Sequence, residues 1–213
     1  MRIRPVGAHA LLLDCDDPDQ VEAWRAELTR RRAAGELTAV EIVPAARTVL
    51  LDGVPDPDRA AALVAHWTPR PAGPATPATS PADGTTPAEV EVLVTYDGVD
   101  LPVVAGHWGV DVPEVVARLT GTPFRVAFCG FAPGFAYLTG LPPQWAVPRL
   151  ATPRPRVPAG SVALAGPYAG IYPGASPGGW LLVGRTALTL FDVAADPPAR
   201  LAPGTPVRLA ATA

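Results

Sequence analysis

Residues 161–191 read SVALAGPYAGIYPGASPGGWLLVGRTALTLF. Four apolar runs, Ser161–Ala165, Tyr168–Tyr172, Gly179–Val183 and Ala187–Phe191, are separated here by turns that carry Gly or Pro. Runs this short, bounded so closely, have the length and punctuation of strands rather than helices. Phe124–Phe131 on one side and Pro206–Leu209 on the other repeat the pattern. Evenly spaced short strands predict a small closed β-barrel, a fold that leaves no strand edge unpaired.

Towards the N-terminus, Val90, Val92 and Val94 line one face of a further strand that ends in a turn at Tyr96-Asp97-Gly98. Asp111-Val-Pro-Glu114 opens a capped helix through Leu119, which Gly121 terminates. Residues 69–88, PRPAGPATPATSPADGTTPA, hold prolines at 69, 71, 74, 77, 81 and 87 and no apolar periodicity, the composition of a linker.

Before that stretch strands and helices alternate. A strand at Ala10–Leu13 leads into a helix capped by Asp17, with Pro18 in its first turn, Gln20 closing the cap, and Val21, Trp24 and Leu28 on one face; Gly35 stops it. Leu37–Val43 and Arg47–Leu51 read as neighbouring strands joined by Pro-Ala-Ala, and Asp56-Pro57 starts a second helix with Ala60, Leu63, Val64 and Trp67 on a stripe. The expected class is α+β: a small α/β sandwich domain over 1–68, a Pro-rich linker over 69–88, and a barrel domain over 89–213.

Composition narrows the function. The chain has 213 residues, 48% hydrophobic and 17% charged, with 20 glycines and 28 prolines, which excludes global disorder and argues against a long helical bundle. All 17 basic residues are arginine, so neither a Schiff-base lysine nor a P-loop lysine exists. A net charge of −3 gives no basic footprint for nucleic acid or an anionic membrane. Cys15 and Cys129 belong to no metal-ligand cluster and read as buried or half-buried thiols; no metal site is expected. The apolar run Ala10–Leu13 is too short for a signal-peptide core or a membrane span, so a cytoplasmic protein is expected.

The chemistry-bearing residues concentrate between Phe128 and Thr186. His9, His66 and His107 read as surface or structural histidines, and Ser161, within Ala-Gly-Ser-Val, sits in no nucleophile elbow. Phe131, Phe135 and Tyr137 surround a Pro-Gly turn; they line an apolar slot or simply plug the barrel. Arg149, Arg154 and Arg156 lie among prolines that stiffen their loop, which aims guanidinium groups at a planar anion or at the protein's own carboxylates. Gly178 and Gly179 mark places where backbone approaches a neighbour or ligand, and Trp180 is core or ligand platform. Asp97 and Asp100 bear on a nearby site or make an ordinary turn.

Four motifs then narrow the field: YDGVDL at 96–101, GFAPGFAYLTGL at 130–141, PRLATPRPRVPAGSVALAG at 148–166 and GIYPGASPGGWLLVGRT at 170–186. In this order, across residues 89–209, they resemble the B subunit of bacterial ATP-dependent 5-oxoprolinase, a group also known as allophanate hydrolase subunit 1 and including the sporulation kinase inhibitor KipI. The resemblance implies a cyclophilin-like β-barrel after an α/β domain. It also implies a 5-oxoprolinase complex in which a C-type subunit completes the site and an A-type subunit uses ATP, so that 5-oxoproline is opened to glutamate with no cofactor bound by this chain.

On motif position, Arg149 and Arg154 are expected to hold anionic oxygens, Ser161 and Tyr172 to offer hydroxyls, Phe135 and Tyr137 to wall the substrate slot, and Gly178 and Gly179 to permit close approach. Two departures stand out. Leu119-Thr120 replaces a His-Thr or His-Ser of many relatives, and Pro203-Gly204-Thr205 replaces their Pro-Gly-Asp. Competing expectations are a KipI-like inhibitor that binds a sensor histidine kinase, or a component for allophanate or urea amide hydrolysis. Prolyl isomerisation ranks last, since a barrel likeness says little about the site it carries.

Overall fold

Aspartates set the start of three helices. In the computed structural model, which describes residues 1–70 and 88–212, the Asp17 carboxylate accepts the Gln20 backbone N–H at 2.7 Å, Asp56 that of Arg59 at 3.0 Å and Asp111 that of Glu114 at 2.9 Å. Each is followed by proline in the first turn, where a missing N–H costs nothing. The described residues fall into two compact units, divided between Pro87 and Ala88. The linker expected over 69–88 lies almost wholly outside the described residues.

The first unit is an antiparallel sheet of β1 (Arg2–Pro5), β2 (Ala10–Asp14), β4 (Thr48–Asp52) and β3 (Glu41–Pro44), in that order. Helix α1 (Pro18–Ala33) packs on β3 and β4, and α2 (Pro57–Ala65) on β1 and β2. Leu11, Leu13, Val49 and Leu51 meet Val21, Trp24, Leu28, Ala60 and Val64 in its core. Leu63, which the sequence pattern places on this stripe, is partly exposed.

The second unit contains β5 (Val90–Val94), α3 (Leu101–Trp108), α4 (Val112–Gly121), β6 (Phe124–Cys129), β7 (Ala136–Thr139), β8 (Arg154–Val157), β9 (Ser161–Ala165), β10 (Tyr168–Ile171), β11 (Ser176–Gly178), β12 (Leu181–Arg185) and β13 (Pro206–Ala211). Seven strands form one sheet in the order β12-β9-β10-β7-β6-β13-β5, antiparallel except for β13 beside β5. β8 and β11 pair as a separate ribbon.

The two ends of the seven-stranded sheet meet. Thr95 N–H donates to Arg185 O at 2.8 Å and Arg185 N–H to Thr95 O at 2.9 Å, so the sheet curls into a nearly closed barrel. The Tyr96–Leu101 motif is this seam. Gly98 lies against the opposite strand so closely that a Cβ there would sit 2.3 Å from Leu182 O, and only glycine fits. Asp100 adds a side-chain bond across the seam, accepting Leu182 N–H at 2.7 Å.

Ala187–Phe191, expected as a strand, forms none: its one ladder contact is the isolated bridge from Phe191 to Ala199. Strand alternation divides the remaining side chains between two clusters. Leu138, Val162, Leu164, Ala169, Ile171 and Val183 join the main core with Leu101, Val104, Val115 and Leu119 of the helices. Tyr137, Ala163, Ala165, Tyr168, Tyr172 and Leu182, the alternate residues of the same or adjoining positions, collect on the opposite face with Phe135, Val157 and Trp180. The barrel therefore carries two apolar faces, and the second is largely aromatic.

Candidate functional site

The second face opens into a cavity of about 370 Å³. Phe131 and Phe135 enter it from the turn before β7, Tyr137 from β7, Ala165–Tyr168 from the β9–β10 turn, and Tyr172, Gly178 and Trp180 from the segments around β11. Among the described residues, Arg149 is the only charged one on its lining.

The aromatic wall is packed edge to face. Phe135 meets Tyr172 at 5.3 Å and 84° and Trp180 at 5.4 Å and 86°, while Tyr137 meets Trp180 at 5.5 Å and 70° and Tyr168 at 5.7 Å and 88°. Such T-shaped pairs fix ring orientation, because the positive edge of one ring seeks the negative face of the next. Behind them Phe128 stacks on Tyr137 at 4.3 Å. The wall is thereby rigid.

Arg149 is held as firmly by its backbone. On one side Val147 and Gly166 exchange N–H bonds of 3.2 and 2.7 Å; on the other Leu150 N–H donates to Gly179 O at 2.7 Å. The Arg149 side chain makes no ion pair among the described residues and is exposed to the cavity and solvent. A guanidinium carried on so fixed a backbone, beside apolar rings, is placed to meet an anion with a small ring or other flat body.

The three phenols stay protonated at neutral pH. Burial pushes Tyr137 above the ordinary tyrosine range, against the pull of the Arg149 charge. Tyr168 is raised by burial and then by Tyr137. Tyr172 is raised by burial, with the hydrogen bond from the Trp180 backbone and the charges of Arg149 and Arg154 acting the other way. Neutral hydroxyls can donate as well as accept, so the lining offers directional bonds besides the one full charge.

Of the residues singled out from sequence, Arg149, Phe135, Tyr137, Tyr172 and Gly178 come together on this cavity. Gly178 has a clear reason to be glycine, since a Cβ would lie 2.3 Å from the Tyr172 hydroxyl. Gly179 does not: a Cβ there would make ordinary contacts of 3.6–3.8 Å, and its part is the carbonyl that anchors Leu150. Ser161 opens β9, is buried in the ladder and is not on the lining.

Arg154 stands elsewhere and is engaged. Its guanidinium donates to Asp100 Oδ1 at 2.7 Å and reaches Trp180 O at 3.4 Å. Asp100 is only 5% exposed while Arg154 is half-buried, so a partly buried ion pair ties β8 to the barrel seam and the guanidinium is neutralised within the fold. Asp97 is likewise taken, by Arg185 at 2.8 Å. Arg156 is exposed and off the lining. Sequence reasoning passed over Tyr168, Pro167 and Pro177; the two-residue alternation with Gly170 and Tyr172 was the signal that puts Tyr168 on this face.

His9, His66 and His107 are all exposed. Cys15 is buried and Cys129 half-buried, its thiol donating to Leu201 O at 3.3 Å. Leu119 is fully buried in the main core and Thr205 is nearly so, both away from the cavity lining. Among the described residues no cluster of His, Cys, Asp or Glu has the makings of a metal site, and no helix is long and apolar enough to cross a membrane.

Residues 1–201 match the family Carboxyltransferase domain, subdomain C and D. The chain belongs to this family. Curated relatives agree with the resemblance carried by the four motifs: the B subunit of 5-oxoprolinase from Escherichia coli O157:H7 is 50% identical over 122 residues, 56% of each chain, and that of Bacillus subtilis 43% identical over 118 residues, 54% of this chain and 49% of the other. The match thus spans about half the length of these relatives. Among solved structures, TTHA0988 superposes with a TM-score of 0.75 at 31% identity, covering 97% of this chain and 40% of that one. The K. lactis urea amidolyase shares the carboxyltransferase-type fold, with a TM-score of 0.68 at 17% identity over 99% of this chain and 15% of its own.

Proposed function

We propose that this chain is the component that does not bind ATP in an ATP-dependent 5-oxoprolinase assembly, which opens the lactam of 5-oxoproline to glutamate. The observation that carries the reading is the cavity: a rigid aromatic slot of about 370 Å³ with one guanidinium, unpaired among the described residues. 5-Oxoproline is a small five-membered ring with one carboxylate, and the names of the curated 5-oxoprolinase relatives point the same way.

In this reading Arg149 holds the negative oxygens of the substrate or of a phosphorylated or tetrahedral intermediate, and needs no reorganisation to do so. Phe135 and Tyr137 enclose the ring, and Tyr172 presents its neutral hydroxyl past Gly178. An A-type partner uses ATP and a C-type partner completes the site, which sits on a cytoplasmic, cyclophilin-like barrel. Arg154 acts at a distance, by steadying the wall that Trp180 belongs to.

The test is reconstitution of the chain with A-type and C-type 5-oxoprolinase proteins and measurement of glutamate release. Release that depends on ATP, and that falls by about a hundredfold or more in Arg149→Ala while the complex still assembles, is the expected outcome. Release unaffected by the substitution would remove the cavity from the reaction. Tight binding to a sensor kinase without any glutamate release would instead favour the inhibitor, and turnover of allophanate or urea in a substrate panel the third reading.

A further inference from the structure

We propose that Phe131 is the specificity-determining residue of this cavity: its ring, held over the mouth by a strained backbone, makes the site favour a cyclic anion over an open-chain one with the same functional groups. The inference rests on the reading of the cavity as a substrate site.

Three observations meet at this residue. Phe131 has φ of 71°, the sole non-glycine residue with a positive φ among the described residues. A bulky side chain is strongly disfavoured in that left-handed region, because Cβ crowds the backbone. Yet the residue is 62% exposed, so burial returns little of that strain. Glycine would adopt the same turn without penalty, as Gly134 does three residues on with φ of 80°.

The turn itself is over-determined. Gly130 N–H donates to Phe135 O at 3.1 Å, Ala132 N–H to Gly130 O at 2.9 Å and Phe135 N–H to Ala132 O at 3.0 Å. These bonds fix the strained conformation and aim the ring. It lines the cavity and stands edge-on to Phe135 at 5.3 Å and 75° and to Tyr172 at 6.3 Å and 85°. Strain kept at a largely exposed residue, with only two edge-on ring contacts to offset it, points to a role at the cavity.

With Arg149 fixing the anionic end, Phe131 lies where it can cover the apolar edge of a bound ring. An open-chain ligand with the same carboxylate and amide gains the contact to Arg149 but presents no ring for Phe131 to cover. The discrimination is therefore separable from the charge recognition.

Calorimetric titration of the full chain, assembled with its C-type partner, with 5-oxoproline and with N-acetylglycine, which has the same amide and carboxylate without the ring, tests this. The wild type is expected to favour 5-oxoproline, and Phe131→Asn, which tolerates the left-handed region but lacks the ring, to lose that preference by about tenfold. Phe131→Tyr retains it, and Arg149→Ala weakens both ligands alike. The melting temperature of Phe131→Asn and of Phe131→Gly stays level or rises, since strain is relieved. An unchanged preference in Phe131→Asn, or a melting temperature several degrees lower in both variants, overturns the inference and leaves the cavity's role standing. A wild type that binds neither ligand removes that role, and the inference with it.

Discussion

Two arginines, five residues apart and indistinguishable by composition, have opposite surroundings. Arg149 faces a cavity without a carboxylate partner among the described residues, whereas Arg154 is consumed by Asp100. Substituting them should separate binding from stability. Arg149→Ala leaves the fold intact and abolishes recognition of the anion. Arg154→Ala strands the Asp100 carboxylate, which is 5% exposed, and should cost about 3–5 kcal/mol in denaturant unfolding. Asp100→Asn combined with Arg154→Ala removes the stranded charge and should recover part of that loss; no recovery would mean that the pair does not stabilise through charge. The sequence showed that this stretch aims guanidinium groups, but not at what. Prolines stiffen both positions equally, and the partner that claims Arg154 lies 54 residues away, across a seam that no local pattern reveals. Phe135 and Tyr137 drew notice by flanking a Pro-Gly turn, a pattern that fits a slot or a barrel plug equally, and Tyr172 by motif position alone. Ser161 and Gly179 were not legible, since a hydroxyl or a glycine next to a motif carries no information about which face of a strand it occupies.

At the scale of elements, strands with an apolar or alternating run of five or more residues were readable, and the four-residue, Arg- and Pro-rich β1 and β8 were not. β9 is found over the expected residues, and β6, β10, β12 and β13 within a few of them. β8, with the sequence Arg-Pro-Arg-Val, reads as loop, but Pro155 is admissible because β8 and β11 form a two-stranded ribbon with an open edge. β1 was missed for a similar reason, its Arg2 and Arg4 giving no apolar run while Arg4 pairs with Asp14 across the ladder. α3 went unread although Asp100-Leu-Pro has the same form as the Asp111-Val-Pro that opens α4; in the structure Asp100 makes no capping bond, its carboxylate being spent on Arg154 and Leu182 instead. The same aspartate and Gly98 close the barrel, so the seam is where an element-scale test bites. Gly98→Ala would force a Cβ to 2.3 Å from Leu182 O and must push the seam apart. Hydrogen exchange should then rise at Thr95, Asp100, Leu182 and Arg185, whose N–H groups donate across it, while α1 and α2 keep their protection. Unchanged exchange at the seam would show that the added methyl is accommodated without parting β5 from β12.

All four tyrosines of the chain, Tyr96, Tyr137, Tyr168 and Tyr172, lie in the second unit and all are raised above the ordinary phenol range by burial. Tyr96 is shifted furthest, and its buried hydroxyl has no hydrogen-bond partner among the described residues. The two thiols shift the same way, Cys129 to about 11. In the unfolded chain thiols release their protons near pH ~8.5 and phenols near pH ~10. Above those values the unfolded state binds fewer protons than the native one, so stability declines as pH rises; below them these groups contribute no slope. The native protein should therefore hold its melting temperature from neutrality to about pH 8.5 and lose it progressively above. Phenolate absorbance, which reports tyrosine ionisation directly, should lag well behind that of free tyrosine and then appear together with the loss of ellipticity. Ordinary titration of the tyrosines near pH ~10 in a protein that remains folded would contradict the burial of this aromatic face. The cavity would then be an open, wetted surface rather than a slot, and Arg149 would bind its anion against water instead of against rings.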